Sequence, residues 1–155
     1  VYITVIGQCM GSDNQEQAKY YFKKLNKLAI VLSIVWNLIV LALTPLFMHF
    51  YQLSSETLQL IFYLVVIHNV FNAIVYPISG PLSNGLRAAG DVKFTMIVSI
   101  ASTLLARFVF SIIFAIYLNM GVIGIAFAMC LDWTIRAAIF YCRYRSLKWL
   151  EFKVI

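Results

Sequence analysis

Residues 28–48 read LAIVLSIVWNLIVLALTPLFM, a run without a single Asp, Glu, Lys or Arg. In a helix rising about 1.5 Å per residue, about 20 apolar residues cross the hydrocarbon core of a bilayer. Three further runs pass the same test. Residues 58–78 contain one histidine, His68, and no charged side chain; 94–118 are interrupted by Arg107; 122–142 contain Asp132 and Arg136. Backbone N–H and C=O groups cannot stay unpaired in lipid, and barrel strands would alternate over shorter segments. The expected fold is therefore all-α: a polytopic transmembrane helix bundle with four complete spans. The opening stretch VYITVIGQCM is too short to span and lacks the basic flank of a signal peptide. It reads as a truncated helix end, so the chain is expected to be a fragment of a longer protein.

Of the 155 residues, 63% are hydrophobic and 12% are charged, far from the balance of a soluble domain. The net charge of +6 sits between the apolar runs. It therefore points to membrane topology and away from nucleic-acid binding. Residues 11–27 carry Lys19, Lys23, Lys24 and Lys27; residues 80–93 carry Arg87 and Lys93; residues 143–155 carry Arg143, Arg145, Lys148 and Lys153. The connections HFYQLSSET and NMG carry no Lys or Arg. The positive-inside rule makes the three basic segments cytoplasmic, with the C-terminus inside a multi-pass plasma-membrane protein.

Local chemistry supports these boundaries. Ser12 or Asp13 can cap a helix starting near Asn14, with Glu16 following in its first turn. Ala18, Tyr21, Phe22, Leu25 and Ala29 then recur at helical spacing, so a basic amphipathic turn is expected to run into the first span. Pro77, Gly80, Pro81 and Gly85 weaken the end of the second span. Asp91 is placed to cap the third, and residues 119–121 make a tight turn to the fourth. Tyr51, Tyr144 and Trp149 are expected at the membrane interfaces. Gly121, Gly124, Ala126 and Ala128 suit close helix packing and receive no site role.

The chain holds no zinc spacing, P-loop or nucleophile elbow, so no enzyme, metal or cofactor is expected. Cys9, Cys130 and Cys142 lie in apolar surroundings and read as inert thiols. The intramembrane charges are more informative, because a lone charge at mid-bilayer costs roughly 2.5–3.5 kcal/mol on insertion scales. Arg107 and Asp132 lie at matching distances, roughly 19 Å, from the turn joining the last two spans. Asp132 and Arg136 are an i,i+4 pair. An Arg107–Asp132–Arg136 cluster is expected, either as a clamp between the last two helices or as a proton or substrate site. Two arginines facing one carboxylate disfavour a reversible proton carrier, which favours the clamp.

The second span carries His68, Asn69, Asn72 and Tyr76 at i, i+1, i+4 and i+8, a polar stripe. It can serve interhelical hydrogen bonding or line a water-filled substrate cavity. His68 adds an imidazole, the side chain suited to titration near neutral pH.

The segment PLSNGLRAAGDVKFTM (residues 81–96) is followed by Arg107 in the third span and Gly121-x-x-Gly124 at the turn. Leu131-Asp132-Trp133 with Arg136, and Lys148-Trp149, complete the series, with Gly7-Gln8 and Gly11 at the start. In combination these resemble the MATE (multidrug and toxic compound extrusion) family, of the NorM and DinF type. The resemblance implies that the four spans correspond to helices nine to twelve of a twelve-helix transporter. The chain would then be most of a C-terminal lobe, its partner being the N-terminal lobe of the same protein. The family's members export cationic and other amphipathic compounds against an inward flow of protons or sodium ions, by alternating access. Some members hold an acidic cation-binding residue in the tenth helix; residues 58–78 contain none, which leaves the coupling ion open. The competing expectations are a lipid-linked oligosaccharide flippase, which would need more cavity-facing cations than Arg107 and Arg136, and a non-transporting scaffold, which would need no polar stripe.

Overall fold

The computed structural model describes residues 1–12, 14–50 and 54–152, and all regular structure among them is helical. Helix α1 covers Tyr2–Gly11, α2 Gln15–Phe50, α3 Ser55–Ile74, α4 Tyr76–Ser79 and α5 Pro81–Ala88. The next helix, α6, runs through Val92–Tyr117, and α7 covers Gly121–Arg145. A single 3-10 turn, Lys148–Leu150, follows. Helices α2, α3, α6 and α7 are long and apolar enough to cross a membrane. Their outer faces expose large apolar side chains such as Trp36, Leu38, Leu105 and Phe108. That surface would aggregate in water and is stable only with lipid as solvent.

The basic turn and the first span form one 36-residue helix, α2. Pro45 lies within it without ending it; the freed backbone groups of a late-helix proline are tolerable in a membrane bundle. Of the expected amphipathic face, Ala18 and Phe22 are fully buried, whereas Tyr21 stays exposed. The Asp13 cap and the interfacial Tyr51 lie outside the described residues.

The second span departs from its expected limits. Helix α3 ends at Ile74, and the chain continues through α4 and α5 as two short helices that each begin around a proline. Pro77 and Pro81 have no N–H to donate, and each ring crowds the preceding turn, so residues 75–88 cannot prolong one straight helix. Leu82 and Leu86 of α5 are fully buried as a result.

The main apolar core sits at this end of the bundle. Ile6 and Met10 of α1, Phe22 of α2, Leu82 and Leu86 of α5, and Phe140 of α7 meet there. Trp149 belongs to the same core and is fully buried. Leu147 adopts a left-handed backbone conformation, φ 58°, which folds the chain back after α7. Trp149 then lies 4.9 Å from Phe22, centroid to centroid, and donates its Nε1–H to Tyr144 O at 3.0 Å. Gly85 makes this packing possible: a Cβ there would stand 2.5 Å from the Phe22 ring.

Helix α7 is the central element. A third of its most apolar window (33%) is buried, against 6–11% for the other three spans. It pairs with α6 as a hairpin whose turn places Asn119 and Gly121 at φ 51° and 55°. Gly124 allows the close approach, since a Cβ there would stand 2.7 Å from the Phe114 carbonyl carbon.

Candidate functional site

The α6–α7 hairpin gathers the intramembrane charges around one carboxylate. Asp132 is fully buried. Its Oδ2 accepts from Arg136 Nη2 at 2.7 Å and pairs with Arg107 Nη2 at 3.2 Å. Its Oδ1 accepts from the same Arg136 nitrogen at 2.9 Å and from the Ser102 hydroxyl. Arg136 also donates to Thr103 Oγ1 at 3.3 Å. A carboxylate has about four lone-pair sites; three hydrogen bonds reach this one, and the Arg107 ion pair faces Oδ2. The two guanidiniums are not equivalent. The Arg136 side chain is 19% exposed and bonded, whereas that of Arg107 is 40% exposed.

The helix itself brings Ser102 and Arg107 to one carboxylate. Ser102–Val109 and Ile113–Tyr117, both within α6, are wound as π-helix. In an α-helix, residues five apart point about 140° from one another. The i→i+5 winding widens the turn and brings such residues towards one face. Ser102 and Thr103 are not legible as partners from the sequence, because π-helical winding has no periodic signal of its own.

A second ion pair ties the other end of the same hairpin. Arg143, in the last turn of α7, donates Nε–H to Asp91 Oδ2 at 2.6 Å, and its guanidinium lies 4.6 Å from the Phe94 ring centroid. Asp91 occupies the N-cap position of α6 but makes no side-chain cap bond, which corrects the capping expectation. The physical reason is that a charge-assisted bond to a guanidinium is stronger than one to a backbone amide. Asp91 O instead accepts from the Thr95 hydroxyl.

The polar stripe of α3 is divided. Asn72 and His68 are hydrogen-bonded, Nδ2 to Nε2 at 3.4 Å, and Asn72 O accepts from Ser33 of α2. Asn69 is buried and donates to Val65 O within its own helix. Tyr76 falls beyond the helix end, in α4. His68 and Tyr76 are nonetheless joined by a residue with no assigned site role among the expectations. Trp133 of α7 packs edge-on to His68 at 5.1 Å and against Tyr76 at 5.6 Å. Trp133 is next to Asp132, so the polar stripe and the charge cluster are served by adjacent residues of one helix. A cavity of about 580 Å³ opens between α2 and α3; Trp36, Leu43, Phe47, Leu58 and Val65 line it, and Thr44 adds a hydroxyl.

These features define a multi-pass membrane bundle with a buried ion cluster in its last hairpin, where Arg107, Asp132 and Arg136 of the resemblance meet. A family model for MatE matches residues 2–113. The chain belongs to the MatE family, whose members are membrane transporters. The matched stretch includes the PLSNGLRAAGDVKFTM segment and Arg107; Asp132, Trp133 and Arg136 lie beyond it. No solved structure matches the chain.

Proposed function

We propose that this chain acts in an ion-coupled antiporter that exports drugs or other amphipathic organic compounds by alternating access. The family match on a four-span bundle supports this reading most directly. In this proposal α2, α3, α6 and α7 correspond to helices nine to twelve of a NorM- or DinF-type transporter. The basic connections and the C-terminus face the cytoplasm at the cell membrane. Protons or sodium ions drive the cycle, and organic cations are the substrate class the resemblance implies. The other lobe of the same protein and the lipid bilayer are its partners.

Within the chain, the charge cluster acts as a clamp and the His68, Asn69, Asn72, Tyr76 set faces the transport path. Asp132 has both oxygens engaged by arginine, with Ser102 completing one of them, which leaves it poorly suited to load and release a coupling ion. The test is efflux of a fluorescent amphipathic dye from vesicles containing the full-length protein, under imposed proton or sodium gradients. Accumulation that follows one gradient and collapses when it is dissipated supports the antiporter. Dye movement indifferent to both gradients refutes coupling.

A further inference from the structure

The charge cluster is unbalanced. Arg107 and Arg136 together carry two positive charges, and Asp132 supplies one negative charge. Among the described residues, no other acid lies deep in a span; Glu16 and Glu56 are in the first turns of α2 and α3. The surplus falls on Arg107. Arg136 makes hydrogen bonds to both Asp132 oxygens and to Thr103. Arg107 has only the 3.2 Å ion pair, with no hydrogen bond among the described residues; its Nε–H, like that of Arg136, is buried without a partner. A guanidinium carries five N–H donors, and in lipid an uncompensated cation is costly, so such groups face water or an anion.

We propose that the exposed face of Arg107 is a mid-membrane binding point for an anionic group, a carboxylate or phosphate, of the transported compound. The inference rests on the transporter reading and departs from the organic cations that the resemblance implies, in favour of amphipathic compounds that carry an anionic group. Arg107 lies near the middle of the 26-residue span Val92–Tyr117. Lipid headgroups, confined to the membrane faces, are out of reach at that depth. A planar guanidinium presents paired donors that match a carboxylate or phosphate edge. Asp132, itself bonded by Ser102 and Arg136, pairs with the Arg107 side chain and anchors it before any ligand arrives. The described spans offer an organic cation no equivalent, because their one deep carboxylate is already enclosed.

Binding to the full-length protein in phosphatidylcholine nanodiscs tests this. The probes are dansyl-phenylalanine, which bears a carboxylate, and its neutral methyl ester. The carboxylate should bind the wild-type protein at least about tenfold more tightly than the ester, a difference of about 1.4 kcal/mol. R107Q should remove the preference, R107K should keep most of it, and K148Q, which deletes an exposed cation elsewhere, should leave it intact. Equal binding of the two probes by the wild-type protein overturns the proposal without needing any variant; it would mean that another side chain already neutralises Arg107. A preference that survives R107Q also overturns it. The transporter reading fails separately, if vesicles show no gradient-driven movement while the binding preference stands.

Discussion

Arg143 and Asp91, 52 positions apart, meet at 2.6 Å and join the last turn of α7 to the first residue before α6. Asp91 is only 3% exposed. Removing one member of such a pair leaves the other buried and unpaired, at a cost of roughly 3–5 kcal/mol. Arg143→Gln and Asp91→Asn should each lower the thermal midpoint of the purified full-length protein substantially. The double variant should be less destabilised than the sum of the two. Additive losses would show that the pair contributes nothing as a pair.

The cluster around Asp132 should respond asymmetrically. Asp132→Asn strands two guanidiniums, and Arg136→Gln removes the donor that satisfies both carboxylate oxygens. Both should deplete the protein from the membrane. Arg107→Gln leaves a neutral Asp132–Arg136 pair and should be tolerated far better. Membrane abundance by immunoblot reads the difference. Normal abundance of Asp132→Asn together with lost transport would replace the clamp with a functional site.

Gly124→Ala should separate the α6–α7 hairpin. The added Cβ meets main-chain atoms of Phe114 and Ala115, at 2.7 and 2.9 Å, which cannot rotate aside. Overpacking of this kind costs typically about 1–3 kcal/mol. Because the same hairpin carries Asp132, a cysteine crosslink between its two helices should also slow. An unchanged crosslinking rate and midpoint would rule out the close approach.

The chain reversal after α7 makes an opposite pair of predictions. Trp149→Ala removes a fully buried ring from Phe22 and should cost about 3–5 kcal/mol. Leu147→Gly relieves a left-handed residue and should hold stability or raise it by up to about 1 kcal/mol. Thermal scans should show a lowered midpoint for Trp149→Ala and an unchanged or raised one for Leu147→Gly. Loss in both would mean that the Leu147 side chain, and not its backbone, sets the turn.

The sequence by itself determined the number of spans, because an uninterrupted apolar run in lipid has no stable alternative to a helix. It also made the meeting of Arg107, Asp132 and Arg136 legible, since a short hairpin fixes the relative depth of its two arms. Partners that depend on helix winding or on chain reversal were decided only by the tertiary structure. Ser102 reaches Asp132 through a π-wound segment, and Trp149 reaches Phe22 through one left-handed residue, neither of which has a periodic sequence signal. Asp91 shows the same limit in another form. Its position reads correctly as the residue before a helix, but which donor claims its carboxylate depends on Arg143, and only the packed hairpin brings that side chain within reach.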